Sequence, residues 1–309
     1  MSLMRNAFLK ASESAWLREH ATRYRFVRRS VERFLPGESL DDALGAARRL
    51  NESGILAVLT HLGENVRGRA EAEEVAREYV TALERIRAAG LSAEISVKLT
   101  QLGLDLGAEF CRENLMRMVE NSSVERTVWI DMEHSPYVDV TLSIYGRVHE
   151  AHRNTGVCLQ AYLFRTEKDL ASLIPLGALV RLVKGAYNEP PEIAFAEKKD
   201  VDENFLRLAK MLLGAEARAA GVRAALATHD IRLIRQISEW ASSEGIPKQE
   251  VEFQMLYGIQ RAEQSRLARE GYRCGVLVSY GAYWFPWFMR RLAERPANAL
   301  FVARNMFGG

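Results

Sequence analysis

The sequence predicts an α/β fold, a distorted (β/α)8 TIM-like barrel with extra N-terminal helices. Three observations carry this: short β-branched apolar runs alternate with amphipathic segments, there are eight such runs, and no dinucleotide-binding turn accompanies them. Near-continuous apolar strands separated by helices imply a parallel sheet covered on its outer face. Eight such units close into a barrel more readily than into an open doubly wound sheet.

The candidate strands are 54–60, 94–99, 127–132, 156–163, 178–184, 222–228, 250–256 and 273–279. Between the first two, residues 70–89 carry Val75, Tyr79, Leu83 and Ile86 at helical spacing and stop at Gly90. Segments 109–120, 138–153, 202–220, 231–243 and 262–270 read the same way. Residues 1–50 are expected to form a helical layer before the barrel of 51–309, which ends in a helix near 284–296. No Pro/Gly/Ser-rich linker interrupts the 309 residues, so 1–309 reads as a single domain.

At 48% hydrophobic residues, the chain can bury a large core. A net charge of +2 argues against a dedicated nucleic-acid binder. Cys111, Cys158 and Cys274 are scattered and lack metal-ligand spacing, as expected of thiols in a reducing cytoplasm. No stretch approaches the roughly 18 apolar residues of a membrane span. Arg5, Lys10 and Glu13 interrupt any secretory pattern at the start, so a cytoplasmic location is expected. Arg18, Arg23, Arg25, Arg28, Arg29 and Arg33 read as a solvated helix face, with membrane-surface docking as the sharper alternative. Neither a G-x-G-x-x-G turn nor a Walker A loop occurs, so a nucleotide cofactor would bind by another route. His149 and His152 have a spacing that suggests a metal, but no third ligand is near; a solvated helix face is the expectation, and no metal.

In such a barrel the chemistry belongs at the C-terminal ends of the strands. Those ends present Lys98, Asp131 with Glu133, Gln160, Arg181 with Lys184, Thr228-His229-Asp230, Gln254 and Tyr280. Burying one ionisable group can be a structural accident; charged or amide side chains at the same end of six strands make a site. Lys98, Arg181 and Lys184 face mainly Asp131 and Glu133, a cation surplus suited to an anionic ligand. Arg290 and Arg291, adjacent on the last helix, could clamp a carboxylate.

These residues resemble the proline dehydrogenase family in its monofunctional bacterial form. The resemblance rests on 96–103 (SVKLTQLG), Asp131-Met132-Glu133, 179–187 (LVRLVKGAY), Ala227-Thr228-His229-Asp230, Phe253-Gln254 with Leu256-Tyr257-Gly258, and 290–296 (RRLAERP), in order from about residue 50 to the end. It implies FAD bound without a Rossmann fold, oxidation of L-proline to 1-pyrroline-5-carboxylate by hydride transfer to flavin N5, and a membrane quinone as acceptor. A peripheral contact with the inner membrane is implied too, and an oligomer is possible. Carried over by motif, Lys98, Arg290 and Arg291 hold the proline carboxylate, while Leu256 and Tyr280 border its ring. Arg181 lies against N5 and Lys184 near the N1/O2 edge. Met132, Gln160, Gly185, Ala186, Thr228 and His229 complete the FAD site, and Asp131 orients Lys98 and the flavin-side network. Asp131 is also the only general base in view, though ion pairing lowers its basicity.

Two departures stand out. The last strand of the family commonly reads Tyr-Val-Pro-Tyr-Gly where this chain has Leu277-Val278-Ser279-Tyr280-Gly281, and Trp287 replaces a usual tyrosine. Discrimination against hydroxyproline is open on that account. Glu64, after the first strand, could pair with Arg290 or Arg291 as a gate, or serve only as a first-turn helix carboxylate. Two other functions fit a barrel with strand-end lysines: a Schiff-base aldolase using Lys98 or Lys184, and a non-catalytic flavin or amino-acid binder.

Overall fold

A computed structural model describes residues 33–63 and 66–285. Its strands are β1 Leu56–His61, β2 Ala93–Lys98, β3 Val128–Asp131, β4 Thr155–Gln160, β5 Leu179–Val183, β6 Arg223–Ala227, β7 Glu252–Leu256 and β8 Arg273–Tyr280. All eight are parallel and close into one barrel in sequence order. The seam is β1 against β8, from Leu56 opposite Gly275 to His61 opposite Tyr280. The predicted strands all exist; β4 alone is overrun by more than two residues, because the chain turns after Gln160 and Leu163 bridges antiparallel to Ala194.

Helix α1 (Leu40–Asn51) precedes the barrel, its start fixed by a reciprocal cap between Ser39 and Asp42. It is the described part of the predicted N-terminal layer. The connecting helices are α2 Arg69–Ala88, α3 Ala108–Asn121, α4 Val138–Ala151, α5 Thr166–Leu173, α6 Lys198–Leu213, α7 Ala215–Ala219, α8 Ile231–Ser243 and α9 Arg261–Arg269. Two features differ from expectation. Segment 202–220 is not one helix, because Gly214 at ψ 164° leaves the helical region between α6 and α7. Helix α5 was not foreseen: at eight residues, ending against a Pro175 turn, it is too short to show a period.

The core lies mainly between strands and helices, where Leu59, Ile95, Leu115, Met118, Ile130 and Phe253 are fully buried or nearly so. Alternate strand residues point into the barrel. There the apolar packing shrinks to a small cluster of Val58, Trp129 and Ala225, flanked by Leu179 and Leu277. His149 does not lie on a solvated face. It is 1% exposed, its Nδ1 meets the Thr155 carbonyl at 3.0 Å, and its ring stacks on Tyr145. His152 has left the helix at φ −133°, so the two imidazoles do not share helical spacing. The three cysteines are free and buried. No described helix is long and apolar enough to cross a membrane.

Candidate active site

Strand alternation assembles the site. Glu94, Ser96 and Lys98 share one face of β2, and Lys98 sits in register with Asp131 of β3. From β5, Arg181 reaches across the interior, where it is 3% exposed. Its Nη2 donates to Asp131 Oδ1 at 2.6 Å and to Ser96 Oγ at 2.5 Å, while Ser96 Oγ donates to the same Asp131 oxygen at 2.9 Å. Arg181 Nε points at Cys158 Sγ, 3.3 Å away, and its guanidinium carbon lies 5.1 Å from the centre of the Trp129 ring. A guanidinium stays charged at any working pH, so this is a fixed buried cation with its counter-charge at the mouth.

Glu133 serves the backbone. It accepts from the Thr100 amide at 3.1 Å and the Thr100 hydroxyl at 2.7 Å, pinning the short turn Leu99–Leu102 that follows Lys98. Burial pushes its carboxyl up despite those bonds.

Lys184 is less available than its position in the sequence suggests. Its Nζ meets Asp202 at 2.5 Å and Asp230 at 3.2 Å. Burial works against both carboxylates, yet the ammonium groups of Lys184 and Lys198 hold them below their ordinary range. Asp202, which projects from α6 and not from a strand end, and Asp230 pair with Lys184, but the same two carboxylates also take Lys198 and Arg232, so three cations face two carboxylates in this described cluster.

The sequence matches the family model described as proline dehydrogenase over residues 43–304. The chain belongs to the proline dehydrogenase family. It is 38% identical over 305 residues to proline dehydrogenase 1 of Bacillus subtilis strain 168, covering 98% of this chain and 99% of that one. With the proline dehydrogenase of Deinococcus radiodurans it shares 39% over 290 residues, 90% of each. In fold it is similar to a crystal structure of proline utilization A from Bdellovibrio bacteriovorus inactivated by N-propargylglycine, with a TM-score of 0.82 at 23% identity. That superposition covers 99% of this chain and 38% of the other, so the chain spans well under half of that protein. Family membership removes the aldolase and non-catalytic alternatives.

Of the remaining residues expected in a proline dehydrogenase site, Gln160 is buried beside Met132. Its Nε2 donates to the Met132 and Glu133 carbonyls at 3.4 and 3.2 Å, and its Oε1 has no partner among the described residues. Gly185 holds φ +112°, and a Cβ there would lie 2.3 Å from the Tyr162 ring. Glycine is required here by the left-handed backbone and by the Tyr162 ring packed where a side chain would stand. Thr228 is buried and its hydroxyl accepts from the Asp230 amide at 3.1 Å. His229 Nε2 accepts from the Leu256 amide at 2.8 Å, tying the flavin-side and substrate-side candidates together.

Tyr280 is buried, its ring 5.2 Å from that of His61. Alternation puts it on the opposite face of β8 from Leu277 and Ser279, and Leu277, partly buried, packs against the Trp129 cluster. Arg290, Arg291, Glu64 and Trp287 lie outside the described residues, as does the expected terminal helix from residue 286 on. Sequence reasoning assigned no role to Ser96, Trp129 or Asp202. The period-two series Glu94-Ser96-Lys98 and Trp129-Asp131 were the signal for the first two; Asp202, on a helix, left none.

Proposed function

We propose that the chain oxidises L-proline to 1-pyrroline-5-carboxylate with FAD held at the C-terminal mouth of the barrel, and that electrons pass on to a membrane quinone. The observation that carries this is the buried Arg181–Asp131–Ser96 group lying in register with Lys98, in a member of this family. The residues present suit a flavin. Gln160 Oε1, unpartnered among the described residues, offers an acceptor to a ring imide N–H. Met132, Gln160, Arg181, Lys184, Gly185, Ala186, Thr228 and His229 would hold it. When bound, FAD supplies the two-electron acceptor for hydride from proline C5.

The chain's own residues bind, orient and stabilise. Lys98, Arg290 and Arg291 hold the substrate carboxylate, while Leu256 and Tyr280 border the ring and exclude water. Arg181, fixed before substrate arrives, lowers the barrier wherever negative charge develops near it. Asp131 spends its Oδ1 on Arg181 and Ser96, so its role is orientation, and the amine proton leaves to solvent. Glu64 would close against the arginine pair over bound substrate. Transient contact with a membrane surface gives access to the quinone.

The test is the visible spectrum of the purified protein. Flavin bands that bleach anaerobically on addition of L-proline are expected. A colourless protein that takes up no FAD would overturn the reading.

A further inference from the structure

The closed end of the barrel carries a charged layer that binding of substrate and flavin does not require. Arg223 of β6 donates to Glu94 at 2.6 and 3.2 Å and to Glu252 at 2.9 Å through each of two nitrogens. It also reaches the Thr127 hydroxyl at 2.7 Å. Both carboxylates are almost fully buried. Replacing such a buried triad with apolar side chains is often neutral or stabilising, so stability alone is a weak reason for it.

Trp129 joins this layer to the active site. Its indole N–H donates to Glu94 Oε2 at 2.8 Å, and the ring centre lies 5.2 Å from the Arg223 guanidinium and 5.1 Å from that of Arg181. The ring is braced from the side by β4, where a Cβ on Gly156 would lie 2.5 Å from Trp129 Cε3. Gln254 gives a second, longer route: its Nε2 donates to Glu252 at 2.8 Å and its Oε1 faces Arg181 Nη1 at 3.5 Å.

The geometry points to Trp129 as a positioning residue for the reaction. Its indole, anchored by the Glu94–Arg223–Glu252 layer and seated on Gly156, holds the Arg181 guanidinium from below in the orientation that Asp131 and Ser96 complete from above. The negative face of an indole attracts a cation, most strongly when the pair is desolvated, as here. This inference rests on the role given to Arg181 at the flavin.

Two variants of the holoenzyme test it. Trp129→Phe removes the anchoring N–H and part of the ring. Gly156→Ala displaces the indole without touching a charge or a donor. Each is expected to lower kcat by about tenfold, leave the proline KM within about twofold, and shift the midpoint potential of bound FAD to more negative values. Because both act through one ring, the double variant is expected to be no worse than either alone. Folded variants with wild-type turnover and potential, or losses that multiply in the double variant, would overturn the proposal. Glu94→Gln, isosteric with the native side chain, reports on the same coupling where either variant fails to fold.

If the wild-type protein proves to bind no FAD, the proline reading fails, and the positioning claim is then judged without flavin. A double-mutant cycle of Trp129→Phe and Arg181→Lys in urea unfolding is expected to be non-additive. Additivity there sinks the coupling.

Discussion

Asp131 shows how much depends on one atom. Its Oδ1 receives both the Arg181 guanidinium and the Ser96 hydroxyl, so the carboxylate charge and two buried donors converge on a single oxygen. Asparagine at this position keeps an acceptor and loses the charge. A charge-assisted hydrogen bond contributes about 1.5–3 kcal/mol, so Asp131→Asn is expected to lower kcat roughly 10- to 100-fold. Binding of a non-oxidisable proline analogue is expected to stay close to wild type, since asparagine keeps the size of the side chain and an acceptor oxygen beside Lys98. Stopped-flow flavin reduction with a parallel binding titration separates the two. Wild-type reduction by Asp131→Asn would leave Arg181 without its assigned partner. The sequence offered Asp131 and Arg181 through their motif, but that they share a hydroxyl with Ser96 follows from a strand crossing of the barrel that no local pattern encodes.

At the scale of elements, α2 does more than cover the sheet. Pairing between β1 and β2 stops at Leu59 opposite Ile95, and the strands part beyond it. The Tyr79 hydroxyl from α2 fills the gap: it accepts from the His61 amide at 3.0 Å and donates to the Ser96 carbonyl at 2.9 Å. Tyr79 is fully buried, and burial raises its phenol well above the ordinary value, so it acts as a neutral bridge. Tyr79→Phe strands a buried N–H and a buried carbonyl. A loss of about 1–3 kcal/mol in urea unfolding is expected, together with weaker placement of Ser96. In the sequence Tyr79 was only one of four apolar positions on a helix face. Strands and long helices were legible because burial imposes a period on them. Helix α5 was not, being short, and the break at Gly214 was not, because one glycine tilts a helix only when its surroundings permit.

For the whole molecule, the barrel interior is a polar column more than an apolar core. It runs from Glu252, Arg223 and Glu94 through Trp129 and Gln254 to Arg181, Ser96 and Asp131. Its stability accordingly depends on pH. Burial disfavours the Glu252 carboxylate, but Arg223 outweighs this and holds it below the ordinary 4.5. Asp202 and Asp230 are lowered in the same way by their lysines. A carboxyl lower in the folded than in the unfolded chain contributes stability that is present above about pH 4.5 and lost as pH falls through the folded value. Glu133, raised by burial, acts in the opposite direction. Desolvation lowers His61 and His149 in the fold, so the urea midpoint is expected to begin falling below about pH 6.5 and to fall further below about pH 5, with a flatter acid limb in Glu252→Gln. Arg223→Ala removes the cation paired with Glu94 and leaves Glu252 with the longer Arg273 contact at 3.3 Å, and is expected to cost about 3–5 kcal/mol at neutral pH.

The sequence by itself determined the barrel, the family and the end of the barrel where the polar groups gather. Each of these is written in a period or a motif that neighbouring residues share. Only the tertiary structure decided which polar groups meet. Arg181 and Ser96 are 85 residues apart, and Arg223 and Glu94 are 129 apart, yet each pair is in direct contact across the barrel. It also decided that Lys184 faces Asp202 and Asp230 and that His149 is buried. Contacts across a closed barrel depend on strand register and on which alternate residues point inward. Both are fixed by the packing of all eight strands together.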